Sequence, residues 1–323
     1  MSICSHLVLA TVLSAVLGVV HAEDYPSKPI HFVVPLAAGS TADIIARTVQ
    51  PRLAAALGQP VIIDNRVGAG GTIAMDYVAR AVPDGYTIAL ATSATWGINP
   101  ALYKLKNHDP LKEFVPVAYL ASSSNVIVVS PSSNVKTLAD LIKSMRDAPG
   151  KITFSSGGNG TTHHLSSALL NAQTNTAAIH VPYNGAPQGV TAVMANEVNF
   201  GIYNTPSVIG QISGGRLRAL AYTGAAKSPL LPELATVRES GLPNYVVSLQ
   251  FGVFTPIGTP PAVVTRMHDE LEKIMATPDV VRVLTAQGFD SFRATSGVAF
   301  SASVRRDVDI WGSLVRASNA TVD

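Results

Sequence analysis

Two stretches of small residues hold most of the groups that could do chemistry in this chain. They are Leu36-Ala37-Ala38-Gly39-Ser40-Thr41-Ala42-Asp43 and Ser155-Ser156-Gly157-Gly158-Asn159-Gly160-Thr161-Thr162. Each lies between a β-rich run and a segment of helical spacing, so each sets backbone N–H groups at a helix N-terminus. Such groups lack helical partners and carry the positive end of the macrodipole, which suits an anion. A carboxylate could be held there without Arg or Lys, and charge is sparse around both loops.

The other candidates point to plainer roles. Gly68-Ala69-Gly70-Gly71-Thr72-Ile73 starts like a dinucleotide fingerprint, but Ile73 stands where the third glycine must let helix and sheet approach. It reads better as a turn into a helix near Ala74–Ala81. His163 and His164 are adjacent, so on a helix they diverge by ~100° and do not share one ion as an i, i+4 pair does. His108 and His180 have no carboxylate at a recognisable spacing. The expected role is that of helix N-terminal histidines bonded to the loop. Ser155 and Ser156 are outside any G-x-S-x-G elbow and read as anion ligands or caps. Asp43, in the first turn of its helix, reads as a cap for free N–H groups. No catalytic constellation, metal site or cofactor is expected.

The elements that must position these loops follow from periodicity. Strands are expected at Ile30–Val34, Val61–Ile63, Tyr86–Ala91, Val126–Val129, Ile152–Phe154, Ile179–Val181, Phe200–Tyr203, Leu217–Tyr222 and Phe251–Thr255. A helix carries Ile44, Ile45, Val49, Leu53 and Leu57, with a kink expected at Pro51; others span Leu138–Met145, Val190–Ala195, Pro261–Ala276 and Ala299–Ala317. Strands alternating with helices predict an α/β fold with mostly parallel sheets, whose ligands sit outside the strand ends.

Composition narrows the class. Of 323 residues 14% are charged, against roughly 25% in an average soluble domain, and the 23 basic and 21 acidic side chains leave +2. The longest basic run is Arg305-Arg306, which does not suit a nucleic-acid binder. Residues 3–20 are apolar and lead to Val20-His21-Ala22, a small-x-small site, so 1–22 is expected to be a signal peptide cleaved near Ala22; a membrane anchor is the alternative. Cleavage removes Cys4, the one cysteine, and leaves an exported, cysteine-free globule.

Nine ordered segments carry a family resemblance. They are Tyr25–Ile30, Val33–Asp43, Gly58–Gly71, Ala81–Thr87, Ile98–Tyr103, Ser155–Leu165, His180–Gly185, Gly215–Leu220 and Thr255–Pro260. Together they resemble the Bug family, the extracytoplasmic solute-binding receptors of tripartite tricarboxylate transporters, over nearly the whole mature chain. The resemblance implies a two-lobed periplasmic-binding-protein (clamshell) fold, two mostly parallel sheets joined by crossover strands. Lobe 1 would be 25–125 plus 245–323, and lobe 2 would be 126–244.

It also implies substrate binding by Leu36, Ala37, Ala38, Gly39, Ser40, Thr41 and Asp43 from one lobe and by Ser155, Ser156, Gly157, Gly158, Asn159, Gly160, Thr161 and Thr162 from the other. Ser93, His164, Tyr183, Asn204 and Thr205 are expected at the cleft too, with Asp43 orienting its loop. Three departures from the family pattern stand near the presumed pocket: Ser40-Thr41-Ala42 in place of a Gly-Gly-Thr run, Gln250 where relatives often carry Trp, and the extra glycine in Ser155–Gly160. The absent Trp is expected to leave room for an aromatic ring. The implied function is non-enzymatic: a periplasmic monomer capturing a small organic carboxylate, best a dicarboxylate, aliphatic or aromatic and terephthalate-like, for the membrane components of the transporter. A ligand-sensing subunit for a membrane sensor kinase is the alternative, and an enzyme on the same scaffold a further one. No nucleic acid partner is expected.

Overall fold

The run Ile30-His31-Phe32-Val33-Val34 becomes β1 (Ile30–Val34), buried at every position but His31, as a strand covered on both faces requires. The computed structural model describes residues 25–103, 109–290, 295 and 297–318, with backbone only at 317 and 318. The expected signal peptide with Cys4, and His108, lie outside the described residues.

From β1 the chain runs through α1 (Thr41–Leu57), β2 (Val61–Asn65), α2 (Thr72–Ala79), β3 (Thr87–Thr92), α3 (Asn99–Leu102), α4 (Pro110–Glu113) and β4 (Phe114–Val129). It continues with α5 (Leu138–Asp147), β5 (Thr153–Ser156), α6 (Thr162–Thr174), β6 (Ile179–Pro182), α7 (Ala186–Met194), β7 (Phe200–Asn204), α8 (Thr205–Ser213) and β8 (Arg218–Tyr222). β9 (Ser248–Pro256), α9 (Pro261–Met275), α10 (Pro278–Gln287) and α11 (Gly297–Ser318) complete it. Ser40 caps α1, its Oγ accepting the Asp43 N–H, and Gly58 ends that helix in a left-handed conformation at φ 68°. Pro51 stands inside α1, which continues past it as one element. Among the described residues no helix is long and apolar enough to cross a membrane.

The strands follow the order β2-β1-β3-β9-β4-β7-β5-β6, with β8 also on β4. β1 pairs parallel with β2 and β3, and β5 pairs parallel with β6 and β7. Where the chain crosses between these two parallel groups the pairing is antiparallel. β4 lies against β9 over Phe114–Ser124 and against β7 and β8 over Asn125–Val129. The expected strand at Val126–Val129 is thus the last quarter of a 16-residue crossover. Its middle, Ser122-Ser123-Ser124-Asn125, is buried although polar.

Parallel pairing decides where the site falls. The C-terminal ends of β1, β2 and β3 share one edge, so the segments after them gather there, and the same holds for β5, β6 and β7. The two gathered edges meet each other.

Candidate functional site

The segments after β1, β2, β5 and β6 enclose a cleft of about 390 Å³. From the first lobe come Pro35, Leu36, Val67–Gly71 and Tyr103; from the second come Gly157, Gly158, Asn159, Thr161, Pro182, Tyr183 and Asn184. Among the described residues no Lys, Arg, Asp, Glu or His lines it. Of the residues expected from sequence, Leu36, Gly157, Gly158, Asn159, Thr161 and Tyr183 line this space. The others stand behind it or beside it.

The first loop is braced by Asp43. Its Oδ2 accepts the Gly39 N–H (2.8 Å) and Arg47 Nε–H (2.8 Å), and its Oδ1 accepts from Asn65 Nδ2 (3.1 Å). Burial alone would raise its pKa, but these hydrogen bonds and the Arg47 charge outweigh it and hold the carboxyl below its ordinary value. Asp43 is therefore a carboxylate with three hydrogen bonds that hold the loop, while the helix cap expected of it is supplied by Ser40. Asn65 Nδ2 also donates to Leu36 O (2.8 Å), which ties the end of β2 to the same loop. Ala37 meets Gly185 of the other lobe, where an added Cβ would lie 2.7 Å from the Ala37 Cβ. Ala38 and Gly39 are exposed, and Thr41 Oγ1 lies 3.0 Å from Ser207 Oγ across the lobes.

The second loop is held by histidines, and this corrects its expected use. Gly157 N–H donates to His163 Nδ1 (3.4 Å), Gly158 N–H to Ser156 Oγ (3.0 Å) and Gly160 N–H to His164 Nδ1 (3.4 Å). Three backbone donors expected to hold an anion are thus engaged inside the loop. The N–H groups at Thr162 and His163 belong to the first turn of α6 and have no carbonyl partner within the helix. Thr161 caps that helix and donates from Oγ1 to Gly158 O (2.8 Å).

His163 joins the loop to the crossover strand. With Nδ1 accepting from Gly157, its Nε2 carries the proton that Asn204 Oδ1 accepts (2.9 Å). Asn204 Nδ2 donates to Asn125 Oδ1 (2.7 Å), and Asn125 Nδ2 to Ser166 Oγ (2.9 Å). Burial depresses the His163 pKa to about 4, so the ring is neutral. His164 stacks on His180 with centroids 4.2 Å apart, and His180 stacks on Phe154 at 5.0 Å. His180 Nε2 lies 2.6 Å from Ser156 Oγ, and burial followed by the nearby His164 lowers its pKa to about 3. Both histidines of the pair thus bond the loop from the helix N-terminus, as the sequence suggests. Among the described residues no group of three or more His, Cys, Asp or Glu is placed to hold a metal.

Four expected site residues serve as braces instead of facing the cleft. Ser155 Oγ is bonded to Gly189 O (3.0 Å) and Tyr203 OH (2.7 Å). Asn204 sits in the network just described, and Thr205 Oγ1 donates to Ser124 O (3.0 Å). Ser93 Oγ accepts the Gln250 N–H (3.1 Å), a tie between the turn after β3 and β9. The Gln250 side chain is turned to α11, with Nε2 donating to Asp307 Oδ1 (3.1 Å). The room expected from a missing Trp is therefore not in the cleft.

Sequence reasoning passed over Val67–Gly71 and Tyr103. Gly68, Ala69, Gly70 and Gly71 all have positive φ, at 138°, 45°, 62° and 99°. Asn99 Nδ2 holds this turn by donating to Gly70 O (3.0 Å) and Thr72 Oγ1 (3.2 Å). Tyr103 OH donates to Asn159 O (3.2 Å) of the other lobe. The signal for the turn was topological: it follows β2 as Leu36–Ser40 follows β1, and parallel strands put both at one edge.

Two lobes of parallel sheet joined by crossover strands, with a neutral cleft between their loop edges, define a solute-binding protein of the periplasmic clamshell class. The chain belongs to the tripartite tricarboxylate transporter receptor family, whose model matches residues 45–319. It is 40% identical over 267 residues to the "UPF0065 protein in tcbD-tcbE intergenic region" of Pseudomonas sp. (strain P51), covering 82% of this chain and 79% of that one. It is 32% identical over 302 residues to the protein BugT of Bordetella pertussis, covering 93% and 92% of the two chains. Among solved structures, an R. palustris protein with adipate matches with TM-score 0.88 and 30% identity over 93% of this chain and 100% of that one. MatC from Rhodopseudomonas palustris with bound malate matches with TM-score 0.84 and 27% identity, covering 90% and 100%.

Proposed function

We propose that this protein is a periplasmic, non-enzymatic receptor that captures a small organic carboxylate between its lobes and presents it to the membrane components of a tripartite tricarboxylate transporter. The observation that carries the reading is the cleft between two loops, one from each lobe and each running into a helix N-terminus, with no charged side chain among its described lining residues. The N-terminus of α6 and the polar side chains of Asn159, Tyr183 and Asn184 then supply the attraction for an anion, and the apolar Pro35, Leu36, Val67 and Pro182 supply the wall for its carbon skeleton. A small cleft with polar groups and apolar walls from both lobes suits a short carbon skeleton with anionic ends, so a dicarboxylate, aliphatic or aromatic, is the substrate class. Relatives solved with adipate and malate support it. The lobes are 25–125 plus 245–323 and 126–244, the protein works as a monomer, and export removes the segment up to Ala22.

Asp43 and the loop histidines are all held in structural hydrogen bonds, which leaves the cleft with groups for binding and, among the described residues, none placed as base or nucleophile. The test is a thermal-shift screen of unfolded, dialysed and refolded protein against mono-, di- and tricarboxylates, including benzene dicarboxylates. A ligand at 100 times its Kd adds about 2.7 kcal/mol, which raises Tm by several degrees. A shift confined to dicarboxylates supports the reading, and silence across all carboxylates rejects it.

A further inference from the structure

A second cavity, of about 430 Å³, lies between the crossover strands and α11 and shares no lining residue with the cleft. Ser122 of β4 and Gln250 of β9 are direct partners in the strand pairing, and Ser124 pairs with Ser248 beside them. Ser122, Ser248 and Gln250 line the cavity from the strands; Ser303 and Arg306 line it from α11.

The polarity of this lining is one-sided. Arg306 is the one cation among its described lining residues; its charge is felt by Asp307, but among the described residues no carboxylate lies within ion-pair distance of the guanidinium. The nearest acid along the helix, Asp307, is buried and spent: its Oδ2 accepts from Trp96 Nε1 (2.9 Å) and its Oδ1 from Gln250 Nε2 (3.1 Å). Gln250 Oε1 is in turn taken by Ser303 Oγ (3.4 Å), so the amide is a fixed wall. The hydroxyls of Ser122 and Ser248 have no protein partner among the described residues. What remains to meet a ligand is a guanidinium and free hydroxyls, a donor set that matches an oxygen anion.

We propose that this cavity is a second ligand site, which binds a small oxyanion of the carboxylate or phosphate type. Held between Arg306 and the Ser122 and Ser248 hydroxyls, the anion ties α11 to both crossover strands, the segments through which the lobes are joined. The site is independent of what the cleft takes.

The experiment titrates the protein with inorganic phosphate, sulfate and acetate, against chloride at matched ionic strength. Fluorescence is the readout, because Trp96 donates to Asp307 beside the cavity and Trp311 is the only other tryptophan. The oxyanions are expected to give a saturable change that chloride does not, and whichever oxyanion saturates at lowest concentration names the subclass. Arg306→Gln should weaken that response about tenfold, the worth of one charge-assisted contact. Ser122→Ala with Ser248→Ala, which removes both hydroxyl donors and adds no fluorophore, should abolish it, and both variants should retain the wild-type affinity for a cleft carboxylate. An equal response to chloride, no response to any oxyanion, or a response that survives both variants overturns the proposal.

Discussion

Gly160 of the second lobe meets Asn99 of the first so closely that a Cβ on Gly160 would stand 2.7 Å from Asn99 Oδ1. The same Cβ would lie 2.8 Å from the Tyr103 ring, and one on Gly70 would lie 2.9 Å from Gly160 O. The lobes therefore touch backbone to backbone beside the cleft. Asn99 Oδ1 is buried there without a hydrogen-bond partner among the described residues.

Gly160→Ala should prop this seam open. The added methyl finds the amide of Asn99 and the Tyr103 ring already in its place, and φ of 76° adds about 1 kcal/mol of strain for a residue with a Cβ. The variant should fold, with affinity for the cleft carboxylate reduced by at least about tenfold, as expected when the closed form costs ~1.4 kcal/mol more. Titration calorimetry measures the loss. Small-angle scattering should show ligand-induced compaction in the wild type and less of it in the variant. Unchanged affinity would mean that binding does not need this seam.

His163→Leu should cost stability through the groups that it deserts. Gly157 N–H and Asn204 Oδ1 lose their partner while Asn204 stays buried between β4 and α6. An unsatisfied buried group costs about 1–3 kcal/mol, so Tm should fall by several degrees. Adding Asn204→Leu should cost less than the sum of the two single changes, because the orphaned oxygen is removed with its side chain. Strict additivity in thermal unfolding would show that the two residues do not act as one network.

Acid should weaken the fold from near neutrality downward. His163 and His180 have folded pKa values of about 4 and about 3 against 6.5 for the free group, so between 6.5 and 4 the unfolded chain binds protons that the folded one refuses. Stability is complete above pH 6.5 and falls as pH drops through that window. Asp307 works the other way. Burial raises its pKa from 3.8 to about 6, so the folded state takes its proton first and gains stability as pH falls from 6 to 3.8. Two histidines against one aspartate leave a net loss between pH 7 and 4.5 in thermal melts. Asp307→Asn should steepen that loss by removing the opposing group.

Much of this was legible in the chain because small residues after a β-rich run mark a strand end and a helix start together. That pattern located Leu36–Asp43 and Ser155–Thr162 and implied the α/β architecture. It could not reveal the crossover strand. Ser122-Ser123-Ser124-Asn125 reads as loop, since its partners come from far along the sequence: Asp290 accepts the N–H and Oγ of Ser124 (both 2.6 Å), and Thr223 Oγ1 accepts the Asn125 N–H (2.8 Å). Nor could it show which loop donors are free. Whether Gly157 and Gly160 face a ligand or a histidine depends on where α6 places His163 and His164, and local pattern is silent on that. The Gln250 departure was visible, but not that Asp307, 57 residues on, draws its side chain toward α11.

Asp43→Asn separates the charge of the first loop from its shape. The carboxylate accepts three hydrogen bonds, from Gly39 N–H, Arg47 Nε and Asn65 Nδ2, and Arg47 is its ion-pair partner at 2.8 Å. An amide offers one acceptor oxygen, so either Gly39 and Arg47 on one side or Asn65 on the other must face an N–H₂ group. Losing a charge-assisted bond at a site 2% exposed costs about 1.5–3 kcal/mol. The Arg47 guanidinium is half exposed and can turn to water, so the damage should concentrate on the loop. Affinity for the cleft carboxylate should fall further than Tm alone implies, because Leu36 lines the cleft on the chain that Asp43 and Asn65 pin. Arg47→Gln keeps the carboxylate and its bonds to Gly39 and Asn65, and should leave ligand affinity within about threefold of wild type. Equal losses in the two variants would show that the ion pair, and not the brace on the loop, is what Asp43 contributes to binding.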